Sequence, residues 1–389
     1  MKKHIVLWKA CIGSTLLAFG QPEDSFLLQQ YSPEISFVVM DSIHGSQSTV
    51  IEYNDFLVVI VMPMVDEGGS KTEHLEEDAG RATRYREFLR EHFNRKPIRY
   101  ILSSHWHQHS LSGVTPFTDE GTRIITTRKN WDYAVAHDLV AKEKLPGLGD
   151  KIIFVAADTL LLERSEFPIE VLYLDSTYSN KPTTDYLFFY LTRQKYLHAS
   201  CMTAVGQSDL GQQGPHIYGS RLIDVRRVIA AKKLDVEKII RLGREDFVHR
   251  AFQPGIYNYA DVAAYIESGR SPQEALKPYV KMPIDRLRQR MDQVLDEFAA
   301  MRLGPGMLNG LVYEFIGDGD YDRAVVFAQL LNLYYPGILD FIDTLGEAYY
   351  FAGDVDSARR MSIVLLGHDE EYDGGMEVWE KNRKEQTGH

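Results

Sequence analysis

The chain has 389 residues, 44% hydrophobic and 25% charged, a globular composition that excludes wholesale disorder and leaves room for two domains with cores of their own. A formal net charge of −12 excludes a general binder of nucleic acid or of anionic membrane, because displacing counterions from phosphate takes a surplus of lysine and arginine. With only Cys11 and Cys201 present, a multi-cysteine metal cluster is excluded as well.

In chain order, Lys2, Lys3 and Lys9, the apolar run Ala10 to Phe19 and the small-x-small pattern Ala18-Phe19-Gly20 predict a secretory signal peptide over residues 1–20. A periplasmic or secreted protein is expected; Cys11 would leave with the leader, and the remaining thiol has no disulfide partner. No later run is long and apolar enough for a membrane span. Two alternating apolar runs, Ile35 to Met40 and Ser48 to Tyr53, precede Phe56 to Met62, with turn residues Gly45 and Asn54-Asp55 between them, which predicts three antiparallel strands. Residues 72–94 carry Tyr85, Phe88, Leu89 and Phe93 at helical spacing and lead into a strand, Ile98 to Leu102.

Directly after that strand comes Ser104-His-Trp-His-Gln-His-Ser-Leu-Ser-Gly113. Alternation along an extended chain would send His105, His107 and His109 to one side, where three imidazoles can converge on a divalent ion, zinc being the usual one. Further strands are expected at Arg123 to Thr126, Ile152 to Ala156, Glu170 to Leu174 and Tyr186 to His198, the last broken by a turn at Arg193-Gln194. Helices over 130–143 and 220–233 and a strand Lys238 to Leu242 complete an alternating pattern of layered helices and sheets. Cys201, alone after an apolar strand, reads as a packing residue. Beyond residue 255 the pattern is helical, and Gly319-Asp-Tyr-Asp-Arg-Ala324 recurs as Gly353-Asp-Val-Asp-Ser-Ala358, a shift of 34 that also aligns Leu311 with Leu345 and Phe315 with Tyr349. These helices resemble tetratricopeptide repeats; with two copies, a capping or dimerising helical domain over 255–389 is expected, with a possible homodimer through it.

Phe56-Leu-Val-Val-Ile, the helix, Pro97-Ile-Arg-Tyr-Ile-Leu and Ser104-His-Trp-His, in that order, resemble the metallo-β-lactamase superfamily over residues 30–250. The resemblance implies an α/β fold, an αββα sandwich whose strand ends hold zinc that activates water for hydrolysis. The family motif His-x-His-x-Asp-His is degenerate here. His105 and His107 match, the Asp falls on His109, the third motif His on Ser110, and Gly113 fits the downstream glycine. The next family His falls in a region holding Ser179, Asn180 and Pro182, the bridging Asp corresponds to Ser200, and the last His falls near Leu242. A dinuclear centre is therefore not expected. His198, two residues before Ser200 on the same strand face, is the nearest replacement ligand, with His216 or His249 from loops. His105, His107, His109 and His198 are the candidate metal ligands, with zinc as cofactor and an open water position. The expected function is a pseudoenzyme or a module binding a small molecule or protein, the alternative being a mononuclear zinc hydrolase of an ester, amide or phosphoester.

Overall fold

The computed structural model describes residues 26–40, 46–63, 71–118, 121–137, 139–140, 147–203, 205–211, 216–243, 247–248, 251–301, 303, 305–368 and 375–387. The expected leader at residues 1–20 and the loop residue His249 lie outside them.

The first sheet has seven strands in sequence order: β1 (Phe26–Gln30), β2 (Ile35–Met40), β3 (Ser48–Glu52), β4 (Leu57–Ile60), β5 (Ile98–Leu102), β6 (Arg123–Thr126) and β7 (Ile152–Phe154). The first four pair antiparallel, each with the next in sequence. From β4 to β7 pairing is parallel, because α1 (Lys71–His92), the short helices α2 (Gln108–Leu111) and α3 (Thr115–Thr118), and α4 (Arg128–Ala136) intervene as crossovers. The second sheet is built from β8 (Thr159–Leu161), β9 (Ile169–Leu174), β10 (Tyr186–Leu191), β11 (Tyr196–Ser200), β12 (Lys238–Arg241) and β15 (Ile256–Asn258), in the order β15-β12-β11-β10-β9-β8. Between β11 and β12 come α5 (Gln207–Leu210) and α6 (Arg221–Lys232), and a small hairpin of β13 (Phe247–Val248) and β14 (Ala251–Phe252) precedes β15.

Alternation explains the layers. In β2, Ile35, Phe37 and Val39 face the second sheet while Val38 faces the helical side, so the strand is buried throughout. Phe189 and Ile240 meet Phe37 and Val58 in the inter-sheet core. Tyr85 and Leu89 of α1 and Trp131 of α4 cover the outer face of the first sheet. Val225 and Val228 of α6, with Val262 and Ile266 of α7 (Tyr259–Ser268), cover the second. The result is an αββα sandwich. Its last strand and α7 lie past residue 255, so the α/β layers run to about Ser268, beyond the expected break at 250–255.

The helical region continues with α8 (Pro272–Val280), α9 (Ile284–Gln289), α10 (Met291–Met301), α11 (Pro305–Asp318), α12 (Tyr321–Tyr334), α13 (Leu339–Phe351), α14 (Val355–His368) and α15 (Met376–Thr387). Leu308, Phe298, Phe327 and Leu331 fill its core. The 34-residue recurrence has a structural counterpart in two helix turns of the same build. Gly319 and Gly353 sit at φ +77° and +82°, and Asp320 and Asp354 each accept the backbone N–H of the residue three further on. Among the described residues no helix is long and apolar enough to cross a membrane.

Candidate metal centre

The chain leaves β5 at Leu102 and does not stay extended: residues 105–107 bend, and His109 sits on α2. The three imidazoles still converge, but by a loop turning into a helix rather than by strand alternation, which corrects the geometry expected from their spacing. The turn is closed by His107, whose carbonyl accepts from Ser110 N (2.8 Å) and Leu111 N (3.1 Å). Ring centroids of His105 lie 4.4 Å from His107 and 4.9 Å from His109, and His105 Nε2 is 3.1 Å from His109 Nε2.

Ser110, at the position of a ligating histidine in the resembling family, has a different task here. Its fully buried Oγ accepts from the backbone N–H of Ser104 (3.1 Å) and lies 3.0 Å from Ser103 Oγ, so it holds together the loop that aims His105. Ser104 Oγ is 2.7 Å from His105 Nδ1, which engages that nitrogen and leaves Nε2 for the cluster. The ring of Tyr186 stacks on His105 at 4.8 Å and fixes its plane.

The fourth member is Cys201. The pairing of β11 with β12 slips between His198 and Ser200, and Ser200 takes φ +50°, a left-handed conformation that breaks the strand's alternation. The chain then turns, with Met202 N donating to Ala199 O, and Cys201 Sγ comes to 3.3 Å from His109 Nε2. One donor atom from each of His105, His107, His109 and Cys201 lies within 4.8 Å of the others. Cys201 is thus part of the site, not the packing residue its isolation suggests. Its signal in the sequence was adjacency to Ser200, where the resembling family places a metal ligand.

His198 goes elsewhere. It stands opposite Phe189 and Ile240, both inter-sheet core residues, is fully buried, and among the described residues neither ring nitrogen has a hydrogen-bond partner. The four-residue donor group does not include it. The bulge is the reason: His198 keeps the inward face of the strand while the chain bends toward the histidines only after it. His216 is engaged by Tyr265, whose carbonyl is 2.7 Å from Nε2 and whose ring stacks on it at 4.2 Å. Leu242 packs against the inter-sheet core, and Asn180 is tied to Asp224 by its backbone N–H (2.7 Å).

Burial, the largest influence, lowers the His105 pKa to about 4, partly opposed by Cys201. Burial acts the other way on the Cys201 thiol, but neighbouring His105 and hydrogen bonding with all three imidazoles outweigh it and hold the thiol below its ordinary range. Neutral imidazole and thiolate are the forms that bind a transition metal. From zinc bond lengths, tetrahedral donors stand about 3.3–3.6 Å apart. Two separations, 3.1 and 3.3 Å, are close to that spacing, and none exceeds 4.8 Å, so the widest would have to contract by at most about 1.5 Å. The donor set therefore fits one zinc ion. Among the described residues the group contains no carboxylate.

No protein-family profile matches the sequence, and no curated protein matches it. Among solved structures, the chain is similar to a metallo-beta-lactamase from Pontibacter korlensis, at 15% identity over 62% of this chain and 98% of that one, with a TM-score of 0.41. It is also similar to the DIM-1 metallo-beta-lactamase (14% identity, 62% and 96% covered, TM-score 0.41). A third is the metallo-beta-lactamase FIM-1 from Pseudomonas aeruginosa in its mono-zinc form (13%, 64% and 96%, TM-score 0.40).

Proposed function

We propose that this chain is a ligand-binding module that holds one zinc ion through His105, His107, His109 and Cys201 and does not hydrolyse its ligand. The observation that carries this reading is the donor group itself. Four protein donors saturate a tetrahedral ion, and a saturated site has no position for an activated water. The group also lacks a carboxylate to take a proton from such a water. Zinc held this way acts as a cross-link between the loop after β5 and the end of β11, with Ser104 and Tyr186 orienting His105.

A second reading, a mononuclear hydrolase, is favoured by the partial exposure of His107 and Cys201, which contrasts with the buried His105 and His109. A zinc ion with an open position supplies Lewis-acid polarisation and an acidic water. Metal analysis of untagged protein combined with assays on p-nitrophenyl acetate and p-nitrophenyl phosphate separates the two. The binding-module reading expects about one zinc per chain and no turnover above that of the His105→Ala/His107→Ala variant. Zinc-dependent turnover that vanishes in that variant would replace it with the hydrolase.

We also propose that residues 1–20 direct export and are removed, which N-terminal sequencing of secreted protein tests. The helix pairs α11–α12 and α13–α14 are proposed as two tetratricopeptide-like units, with self-association through the helical domain testable by sedimentation.

A further inference from the structure

A cleft of about 590 Å³ separates the sandwich from the helical domain, a volume in the range of small-molecule sites. Its sandwich side is the loop of Ser179 to Pro182 and the start of α6; its helical side is the start of α8 and one face of α11. The loop is firmly held, since Asp224, fully buried in α6, accepts from the backbone N–H and the side-chain amide of Asn180.

Two cations line the sandwich side, Lys181 and Arg221; among the described residues no ion pair closes on either, and Asp185, Asp224 and Asp175 act on Lys181 only from beyond ion-pair distance. Arg221 also reaches the metal centre: its Nη1 donates to Cys201 O at 3.0 Å, and its charge acts on the hydroxyl of Tyr186, the ring stacked on His105. On the opposite side, α11 presents Gly306, Gly310, Leu311 and Glu314. Gly310 is exposed on the cleft face of α11, and a Cβ there would meet nothing within 4 Å, so a larger side chain at this position would project into open space on the cleft side.

We propose that this cleft binds a small organic anion, its carboxylate or phosphate between Lys181 and Arg221 and its apolar body against Leu311. The proposal rests on the reading of the chain as a small-molecule binding module and names the class of ligand. Isothermal titration of phenyl phosphate and of benzoate into the zinc-loaded full chain, and into the metal-free His105→Ala/His107→Ala variant, tests it. The expected result is saturable one-to-one binding of at least one probe to both proteins. Lys181→Met should weaken it about tenfold, Glu314→Gln should strengthen it about two- to fivefold, and Gly310→Trp should abolish it while melting no lower than the parent. Should Gly310→Trp fail to fold, Lys181→Met decides. The proposal is overturned if neither probe binds the parent, if Lys181→Met or a folded Gly310→Trp leaves binding intact, or if binding requires zinc, which would put the anion on the metal. A chain that takes up no zinc yet binds a probe as described removes the zinc reading and leaves the cleft standing.

Discussion

His105 and His198 are both fully buried, and burial pushes both toward neutral imidazole, to about 4 and about 3 respectively, yet they sit in opposite chemical situations. His105 has Ser104 on one nitrogen, His109 against the other and Tyr186 stacked on its face. His198, three residues before Cys201, has no hydrogen-bond partner for either nitrogen among the described residues and faces the apolar inter-sheet core. Burial alone therefore does not make a ligand. What distinguishes the two is whether the backbone has turned toward other donors, and the turn comes at Ser200, just after His198 and just before Cys201.

The contrast is sharpest where the partnered cluster is removed. His105→Ala with His107→Ala should reduce zinc to a trace, and at free zinc about 1,000 times the parent's dissociation constant the variant should lack the roughly 4 kcal/mol of stability that bound zinc gives the parent. Chelation of the parent should reproduce that loss in a denaturant titration; a parent indifferent to chelator would mean the donors do not act together. Cys201→Ala should lower zinc affinity about 100-fold or more, close to the 3 kcal/mol that removing a directly bound ligand implies. Equal affinity in competition with a chromophoric chelator would return Cys201 to a packing role.

Ser110→Ala strands the buried N–H of Ser104 and should cost about 2 kcal/mol in equilibrium unfolding, with zinc affinity falling less than in Cys201→Ala. The smallest effect should come from the orphan. His198→Leu replaces an unpartnered buried imidazole by an apolar side chain, so stability at pH 7 should rise by about 1 kcal/mol and zinc content should not change. Loss of zinc in this variant would reinstate His198 as a ligand. It should also flatten the acid limb. With His198 lowered from 6.5 to about 3, the native state binds fewer protons than the unfolded chain between those values. That stability is present above pH 6.5 and drains as pH falls toward 3, and urea midpoints between pH 7 and 4 should fall less in His198→Leu than in the parent.

Much of this architecture was legible in the residues. The pattern of Ile35 to Met40 and the continuous apolar runs Phe56 to Met62 and Tyr186 to Leu191 marked strands that the structure contains, and the Tyr85, Phe88, Leu89 and Phe93 spacing marked α1. β1, Phe-Leu-Leu-Gln-Gln, was not legible, because an edge strand with half-buried residues shows no clean period of two. At the site, the three histidines were legible as a group but not in their geometry. An extended run and a bend entering a four-residue helix both bring i, i+2 and i+4 together, and spacing does not separate them. For Cys201, adjacency to Ser200 hinted at the site but its placement was not legible: it depends on one residue in a left-handed conformation, and a serine carries no sign of that.

The most direct test of the account is X-ray absorption at the zinc edge of the loaded protein. Three nitrogen neighbours at about 2.0–2.1 Å and one sulfur at about 2.3 Å are the predicted shell. A shell with no sulfur, or with a light-atom oxygen in its place as a bound water would give, contradicts the closed four-donor centre.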